Sequence, residues 1–312
     1  MPRIAVVGSN MTDLITGITR MPARGETLEA RSFAIGPGGK GANQAVAARR
    51  LGSNVVMVGK VGNDVFGRNT LANFAAQGIE TRHVGVVEGV SSGVAPIFVE
   101  PSGENSILIV KGANNHLLPA DVDAAAADLL ASDIILLQLE IPLPTIYHTV
   151  ALATRNGRRV VLNPAPATRD LDLSRLRDIA FFTPNRGELS LLTGMPTETF
   201  AEIEAAAGRL MEGGIRTVIA TLGDDGALLV TPNGATHVPT VVVKPVDTTG
   251  AGDAFIGSFA HFLAGGLDVP QALHWAVRYA AHSVTGHGTQ GSYADMATFR
   301  AFCATVPGGV PA

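Results

Sequence analysis

From about Ala120 the chain repeats one rhythm, and that rhythm narrows the fold to one class. Helix-like Ala120–Leu130 runs into the apolar stretch Ile134–Leu139, and Thr145–Asn156 runs into Val160–Leu162. Ile179–Thr183 precedes Leu189–Thr193, and Phe200–Gly213 leads to Thr217–Thr221. Strand-length apolar runs alternating with helical stretches predict a mostly parallel sheet with helices on both faces. Parallel neighbours need a crossover, and a strand buried on both sides has no polar face to show. Ala227–Val230 opens an antiparallel pair. Upstream, Ile4–Val7 and Val55–Val61 read as further core strands. Helices are expected at Ala42–Leu51 and at Gly67–Gln77, with Gly78 as the stop. Two more helices, Ala251–Leu263 and Pro270–Val284, are followed by a Gly-rich loop.

One region breaks the rhythm. Gly93–Val99 and Ser106–Val110 flank the turn cluster Glu100–Asn105, which predicts a hairpin. Ile15–Thr19 and Leu28–Ile35 add candidate strands. The expectation is one α/β domain over residues 1–312, a three-layer α/β/α body. It carries a small β-sheet lid formed from about 12–36 and 92–111. At 312 residues and 46% hydrophobic the chain can bury a large core. A net charge of −4 argues against a general nucleic-acid binder. No apolar run reaches the roughly 20 residues that span a bilayer. Met1-Pro2-Arg3-Ile4 leads straight into a strand without an apolar signal region, so a cytoplasmic enzyme is expected. A single cysteine, Cys303, excludes an intrachain disulfide or a Cys-rich zinc site, and the eight histidines show no zinc-ligand spacing.

Three segments carry candidate chemistry. In Asp247-Thr-Thr-Gly-Ala-Gly-Asp253, the small residues Gly250, Ala251 and Gly252 stand where a loop enters a helix. Backbone N–H groups at such a terminus form an anion site, and Asp253 in the first turn could take a hydroxyl proton beside it. A Gly-rich cap with a dipole-complementing Asp is the plainer alternative. Gly36-Pro-Gly-Gly-Lys-Gly-Ala-Asn43 contains G-x-G-x-x-G, but not after the first strand, where a dinucleotide fingerprint belongs. Lys40 is followed by Gly41, so it is no Walker A loop either. A polar backbone with Lys40 and Asn43 could clasp a polyol, or form only a tight turn. Asn185-Arg-Gly-Glu188 follows a strand, where ligands of open α/β sheets gather. It could hold hydrated Mg²⁺ or make a capping box.

Together these segments resemble the ribokinase (PfkB-like) family of carbohydrate kinases over essentially the whole chain. Gly38-Gly-Lys-Gly-Ala-Asn-Gln-Ala-Val46 is similar to the family's N-terminal signature. Asp247-Thr-Thr-Gly-Ala-Gly-Asp-Ala-Phe255 is similar to its C-terminal one. Gly8–Asp13, Gln138–Pro142, Gly112–Asn114, Asn163–Ala167 and Gly288–Tyr293 resemble segments of the family's ribose kinases. The resemblance implies transfer of phosphate from ATP to the 5-hydroxyl of D-ribose. Asp253 would be the general base, and Gly250, Ala251 and Gly252 the anion hole. Met11, Thr12, Asp13, Gly39, Lys40, Gly41, Ala42, Asn43 and Glu140 would line the sugar. Asn185, the run Thr221, Leu222, Gly223, Asp224, Asp225, Gly226, and Gly252 would meet ATP. Glu188 would act near Mg²⁺. Asp247, Thr249, Ser283, Gly286, Gly288 and Ser292 would hold K⁺. The lid sheet would clasp a homodimer.

Three places depart from the family pattern. Met11 stands where many ribose kinases carry Asn, Asn185–Glu188 has one acid fewer, and Val277 replaces a residue often polar near the adenine site. The rival readings are a family kinase for fructose, 2-deoxyribose, a nucleoside or a keto-deoxy sugar acid, and a non-catalytic sugar or nucleotide sensor. A nicotinamide oxidoreductase lacks its first-turn fingerprint here.

Overall fold

The computed structural model describes residues 1–101 and 105–311. Thirteen strands are present among them: β1 (Arg3–Val7), β2 (Met11–Gly17), β3 (Ser32–Gly38), β4 (Asn54–Gly62), β5 (Glu80–Val87), β6 (Val94–Val99), β7 (Asn105–Ile107), β8 (Ile134–Gln138), β9 (Arg159–Asn163), β10 (Phe181–Phe182), β11 (Val218–Thr221), β12 (Ala227–Thr231) and β13 (Gly234–Val238).

Nine of them form one sheet in the order β13-β12-β11-β10-β9-β8-β1-β4-β5. From β5 to β11 every pairing is parallel, and β12 and β13 close the edge antiparallel, as expected. Side chains alternate across a strand, so each strand feeds two cores. Ile4, Val6, Val55, Met57, Ile134 and Leu136 meet helices Lys40–Arg50, Ala251–Ala264 and Val269–Ser283 on one face. Ala5, Val7, Val56, Val58, Ile135 and Leu137 meet helices Leu143–Arg155 and Phe200–Glu212 on the other. Chain order reverses around β1, which lies between β8 and β4. The carboxyl ends of strands at such a switch point leave a crevice.

The other four strands make the lid, in the order β3-β2-β6-β7. It is drawn from two separated segments, as the sequence predicts. β2 runs antiparallel to β3 and parallel to β6, and β6 and β7 make the hairpin. Residues 102–104 of the expected turn lie outside the described residues. The register puts Met11, Asp13 and Ile15 on one lid face with Gly36, Ala95 and Ile97. Phe33 and Ile35 lie on the opposite face, 61% and 56% exposed.

Several boundaries move. β2 and β3 lie at 11–17 and 32–38, not at Ile15–Thr19 and Leu28–Ile35, because pairing ends at Gly17–Ser32 and an Arg20–Glu26 ion pair folds the intervening loop. Gly36–Gly38, expected as a turn, ends β3. The helix expected from Ala42 starts at Lys40, and Ala120–Leu130 is two short helices meeting at Ala125. β5 and the helix Met296–Thr305 were not expected. No helix among the described residues is long and apolar enough to cross a membrane.

Candidate active site

The crevice gathers the ends of β1, β8 and β2 against two helix N-termini. Helix Ala251–Ala264 begins at Gly250, whose φ of 78° a side chain would rarely tolerate. A Cβ there would also strike the Tyr293 hydroxyl at 2.8 Å, and that hydroxyl donates to the Gly250 carbonyl at 2.9 Å. No side chain caps this helix. Gly250, Ala251, Gly252 and Asp253 line a cavity of about 210 Å³ with Lys40, Asn163, Thr183, Asn185, Glu188, Thr221 and Thr248. First-turn N–H groups without a side-chain cap on a cavity wall have the geometry to receive an anion, although the Ala251 N–H also donates to the Thr248 carbonyl at 3.3 Å. A larger cavity, about 650 Å³, is lined by Phe262, Trp275 and Met296 and shares no residue with this one.

Asp253 is 6% exposed. Its two carboxylate oxygens accept from Asn43 Nδ2 and Gln44 Nε2, both at 3.0 Å. Both donors come from helix Lys40–Arg50, whose start is pressed against β2. At Gly39, φ is 89° and a Cβ would lie 2.6 Å from the Met11 nitrogen, so only glycine fits. Glu140, just past β8, accepts from Ser9 Oγ at 2.5 Å and from the Lys40 N–H at 2.9 Å, which pins that helix terminus.

The site is densely acidic. Burial, then the Glu140 and Asp253 carboxylates, push Asp13 up to about 7. Glu140 is also raised, by burial, against the opposing pull of Lys40 and its hydrogen bonds. Burial alone would lower the Lys40 ammonium, yet Asp253, Glu140 and Glu188 together outweigh it and raise it. Lys40 thus remains a cation among three carboxylates, at the wall of the cavity.

Of the sugar residues predicted, Asp13, Lys40, Asn43 and Glu140 meet around Asp253, while Gly39 abuts Met11, which packs with Ala95 and Ile97 in the lid. Thr12, Gly41 and Ala42 are engaged elsewhere. Thr12 lies on the other face of β2, its N–H donating to Gly93. Gly41 abuts Ser9, and Ala42 is buried in the core. Both ends of the Asn43 amide are taken, since Oδ1 accepts from Gln290 Nε2 at 3.0 Å.

Of the nucleotide residues predicted, Thr221, Asn185 and Gly252 line the cavity, whereas Leu222 is buried in the core and Asp225 pairs with Arg186. Gly223, Asp224 and Gly226 are not among the residues that line this cavity. Val277 is buried in the core. Asn185 and Glu188 form the capping box: Glu188 N–H donates to Asn185 Oδ1, and Asn185 N–H to Glu188 Oε2, both at 2.8 Å. Both still line the cavity. Burial raises the Glu188 carboxyl, opposed by that Asn185 hydrogen bond and by Lys40.

The predicted cation residues also converge. Asp247 accepts from the Thr249 N–H at 2.9 Å and the Gly288 N–H at 3.0 Å, and Gly286 abuts Ser292. Burial pushes the Asp247 carboxyl up, but the Thr249 and Gly288 donors and nearby His287 outweigh it and hold it low. Ser283 ends helix Val269–Ser283 beneath this loop. The sequence reading missed Gln44, Gln138, Gln290 and Tyr293. All four lie inside segments that carry the family resemblance, Gly38–Val46, Gln138–Pro142 and Gly288–Tyr293, but only their juxtaposition in space gives them a role.

The profile of the pfkB family carbohydrate kinases matches residues 1–296. The chain belongs to this family. It is a phosphotransferase acting on a sugar hydroxyl. Among pfkB relatives, the chain is 52% identical to a deoxyribokinase of Salmonella typhimurium, over 96% of this chain and 98% of that one. It is 39% identical to a ribokinase of Mus musculus, over 93% and 91%. The structure of Arabidopsis thaliana ribokinase complexed with ribose and ATP matches with a TM-score of 0.90 at 31% identity, covering 96% of this chain and 98% of that one.

Proposed function

We propose that this pfkB kinase transfers the γ-phosphoryl group of ATP to the 5-hydroxyl of a pentose, and that 2-deoxy-D-ribose is preferred to D-ribose. The observation that carries the preference is Met11, 3% exposed and on the same lid face as Asp13. Its thioether donates no hydrogen bond and accepts only weakly. A hydroxyl brought against it in a closed site goes unpaired, at about 1–3 kcal/mol. A methylene there packs instead. The 52% identity to a deoxyribokinase, against 39% to a ribokinase, supports the same choice.

Asp253 takes the proton of the 5-hydroxyl as that oxygen attacks phosphorus. The N–H groups of Gly250–Gly252 and the Lys40 ammonium stabilise the charge on the transferring phosphoryl oxygens. Asp13 and Glu140 accept from sugar hydroxyls and orient the ring. The Asn185–Glu188 box supplies hard oxygen donors at the cavity wall, suited to Mg²⁺ arriving with ATP, and Mg²⁺ would neutralise phosphate charge. The Asp247 carboxylate, the Ser292 hydroxyl and carbonyls of Thr249, Ser283, Gly286 and Gly288 likewise suit a hard monovalent ion such as K⁺. Held there, it would order the turn before the anion hole. The exposed Phe33 and Ile35 on the outer lid face fit a homodimer clasped through the lid. The enzyme would work in the cytoplasm.

The test is a coupled ADP-release assay across 2-deoxyribose, ribose, fructose and adenosine. The highest kcat/KM is expected for 2-deoxyribose, with ribose second. Ribose equal to or better than 2-deoxyribose overturns the preference, and fructose or adenosine in first place overturns the pentose assignment.

A further inference from the structure

Asp253 is the meeting point of two chains of primary amides. In the first, Gln138 Nε2 donates to Gln44 Oε1 at 2.6 Å, and Gln44 Nε2 donates to Asp253 Oδ1 at 3.0 Å. In the second, Asn73 Nδ2 donates to Gln290 Oε1 at 2.9 Å. Gln290 Nε2 then donates to Asn43 Oδ1, and Asn43 Nδ2 to Asp253 Oδ2, both at 3.0 Å. The five amides come from β8, from helices Lys40–Arg50 and Val65–Gln77, and from the turn Gln290–Ser292. Asn43, Gln44, Gln138 and Gln290 are buried.

The direction of every bond follows from the carboxylate. An ionised carboxylate only accepts, so each neighbouring amide must turn its NH₂ toward Asp253 and its carbonyl away. The next amide must then donate to that carbonyl. Reversing any one of them sets oxygen against oxygen. Bonds aligned in this way polarise one another, so distant donors add to the field at Asp253. At the end of the first chain remote from Asp253, Gln138 Oε1 is buried and accepts from no protein group among the described residues.

We propose that Gln44 and Gln290 are positioning residues. Through them the two amide chains fix the plane of the Asp253 carboxylate, so that a free lone pair meets the incoming hydroxyl. This rests on Asp253 being the base. Gln290 also belongs to the loop that carries Gly288 and Ser292, so the candidate cation loop and the base share a mechanical link.

The experiment compares Gln44→Met and Gln290→Met, which keep length and burial but have no N–H to donate. In steady-state kinetics, kcat should fall about 10-fold or more for Gln44→Met, the usual worth of a hydrogen bond to a charged group. It should fall less for Gln290→Met, one link further out. KM for sugar and for ATP should change less than about 3-fold. In an Asp253→Asn background neither substitution should lower the residual rate further, because no carboxylate remains to be positioned. Full turnover in both Met variants, a rise in KM alone, or full additivity with Asp253→Asn overturns the proposal. Near-normal turnover of Asp253→Asn by itself overturns the base instead, so the two failures are told apart. If Gln44→Met does not fold, Asn73→Asp and Asn73→Leu at the half-buried outer end decide. Both variants lose the donor to Gln290 Oε1, but aspartate also sets a carboxylate oxygen against that acceptor and favours turning the Gln290 amide round, so kcat should fall several-fold further in Asn73→Asp than in Asn73→Leu. Equal kcat in the two overturns the proposal.

Discussion

Asp13→Asn should make the unliganded enzyme more stable and a worse catalyst. Asp13 is 7% exposed, and no protein group among the described residues donates a hydrogen bond to its carboxylate. Burial and the nearby Glu140 and Asp253 carboxylates raise it from 3.8 to about 7. A carboxyl raised on folding destabilises the fold where it must be ionised. The penalty is absent below 3.8, grows between 3.8 and about 7, and is complete above 7. At 1.36 kcal/mol per pH unit, that climb caps the penalty near ~4 kcal/mol, and relaxation of the site reduces it. Asparagine keeps the shape and removes the charge. Thermal unfolding followed calorimetrically should therefore show Tm higher by roughly 5 °C for the variant above pH 8, with the gain shrinking toward pH 4. In the same protein the sugar KM should rise about 10-fold or more, since a charged acceptor is lost, while the ATP KM stays nearly constant. A variant no more stable than the parent above pH 8, or equally stabilised at pH 4 and pH 8, would refute the reasoning.

Met11→Asn should raise the ribose to 2-deoxyribose ratio of kcat/KM by about 5- to 150-fold, because an amide can pair the added hydroxyl; an unchanged ratio removes Met11 as the discriminator. Activity should be higher in K⁺ than in Na⁺ or tetramethylammonium at fixed ionic strength. Asp247→Ala should abolish that activation and leave Mg²⁺ dependence intact, and a rate indifferent to the cation removes the site. Sedimentation at micromolar concentration should show a dimer that the double substitution Phe33→Ser, Ile35→Glu converts to monomer; a dimer that survives it lies elsewhere.

The sheet is legible because its strands are apolar on both faces: Ile4–Val7, Ile134–Leu137 and Val160–Leu162 have no polar side to confuse the period. β5 is not, because Glu-Thr-Arg-His opens an edge strand whose residues are only half-buried or exposed. The site divided along a similar line. Gly39 and Gly250 stand where backbone geometry forbids a side chain, and they sit inside motifs that announce themselves. Asp13 and Glu140 required the resemblance to be found, since single acids 127 residues apart carry no spacing signal. Gln44, Gln138 and Gln290 sit inside the segments that carry the resemblance, yet nothing in the sequence assigns them a role. Amides are common, and their alignment around Asp253 exists only once four distant segments meet. Asn185 and Glu188 show the converse: one spacing serves both a capping box and a metal-side pair, and the structure contains the box.

Asp253 is the residue on which the proposed phosphoryl transfer most directly depends. Asp253→Asn keeps the shape and removes the acceptor of the hydroxyl proton. Single-turnover phosphorylation of 2-deoxyribose, with ATP binding measured calorimetrically on the same sample, is the decisive measurement. The rate should fall by about 10²–10⁴ with ATP affinity nearly unchanged. Turnover close to that of the parent, with ATP still bound, would contradict the mechanism.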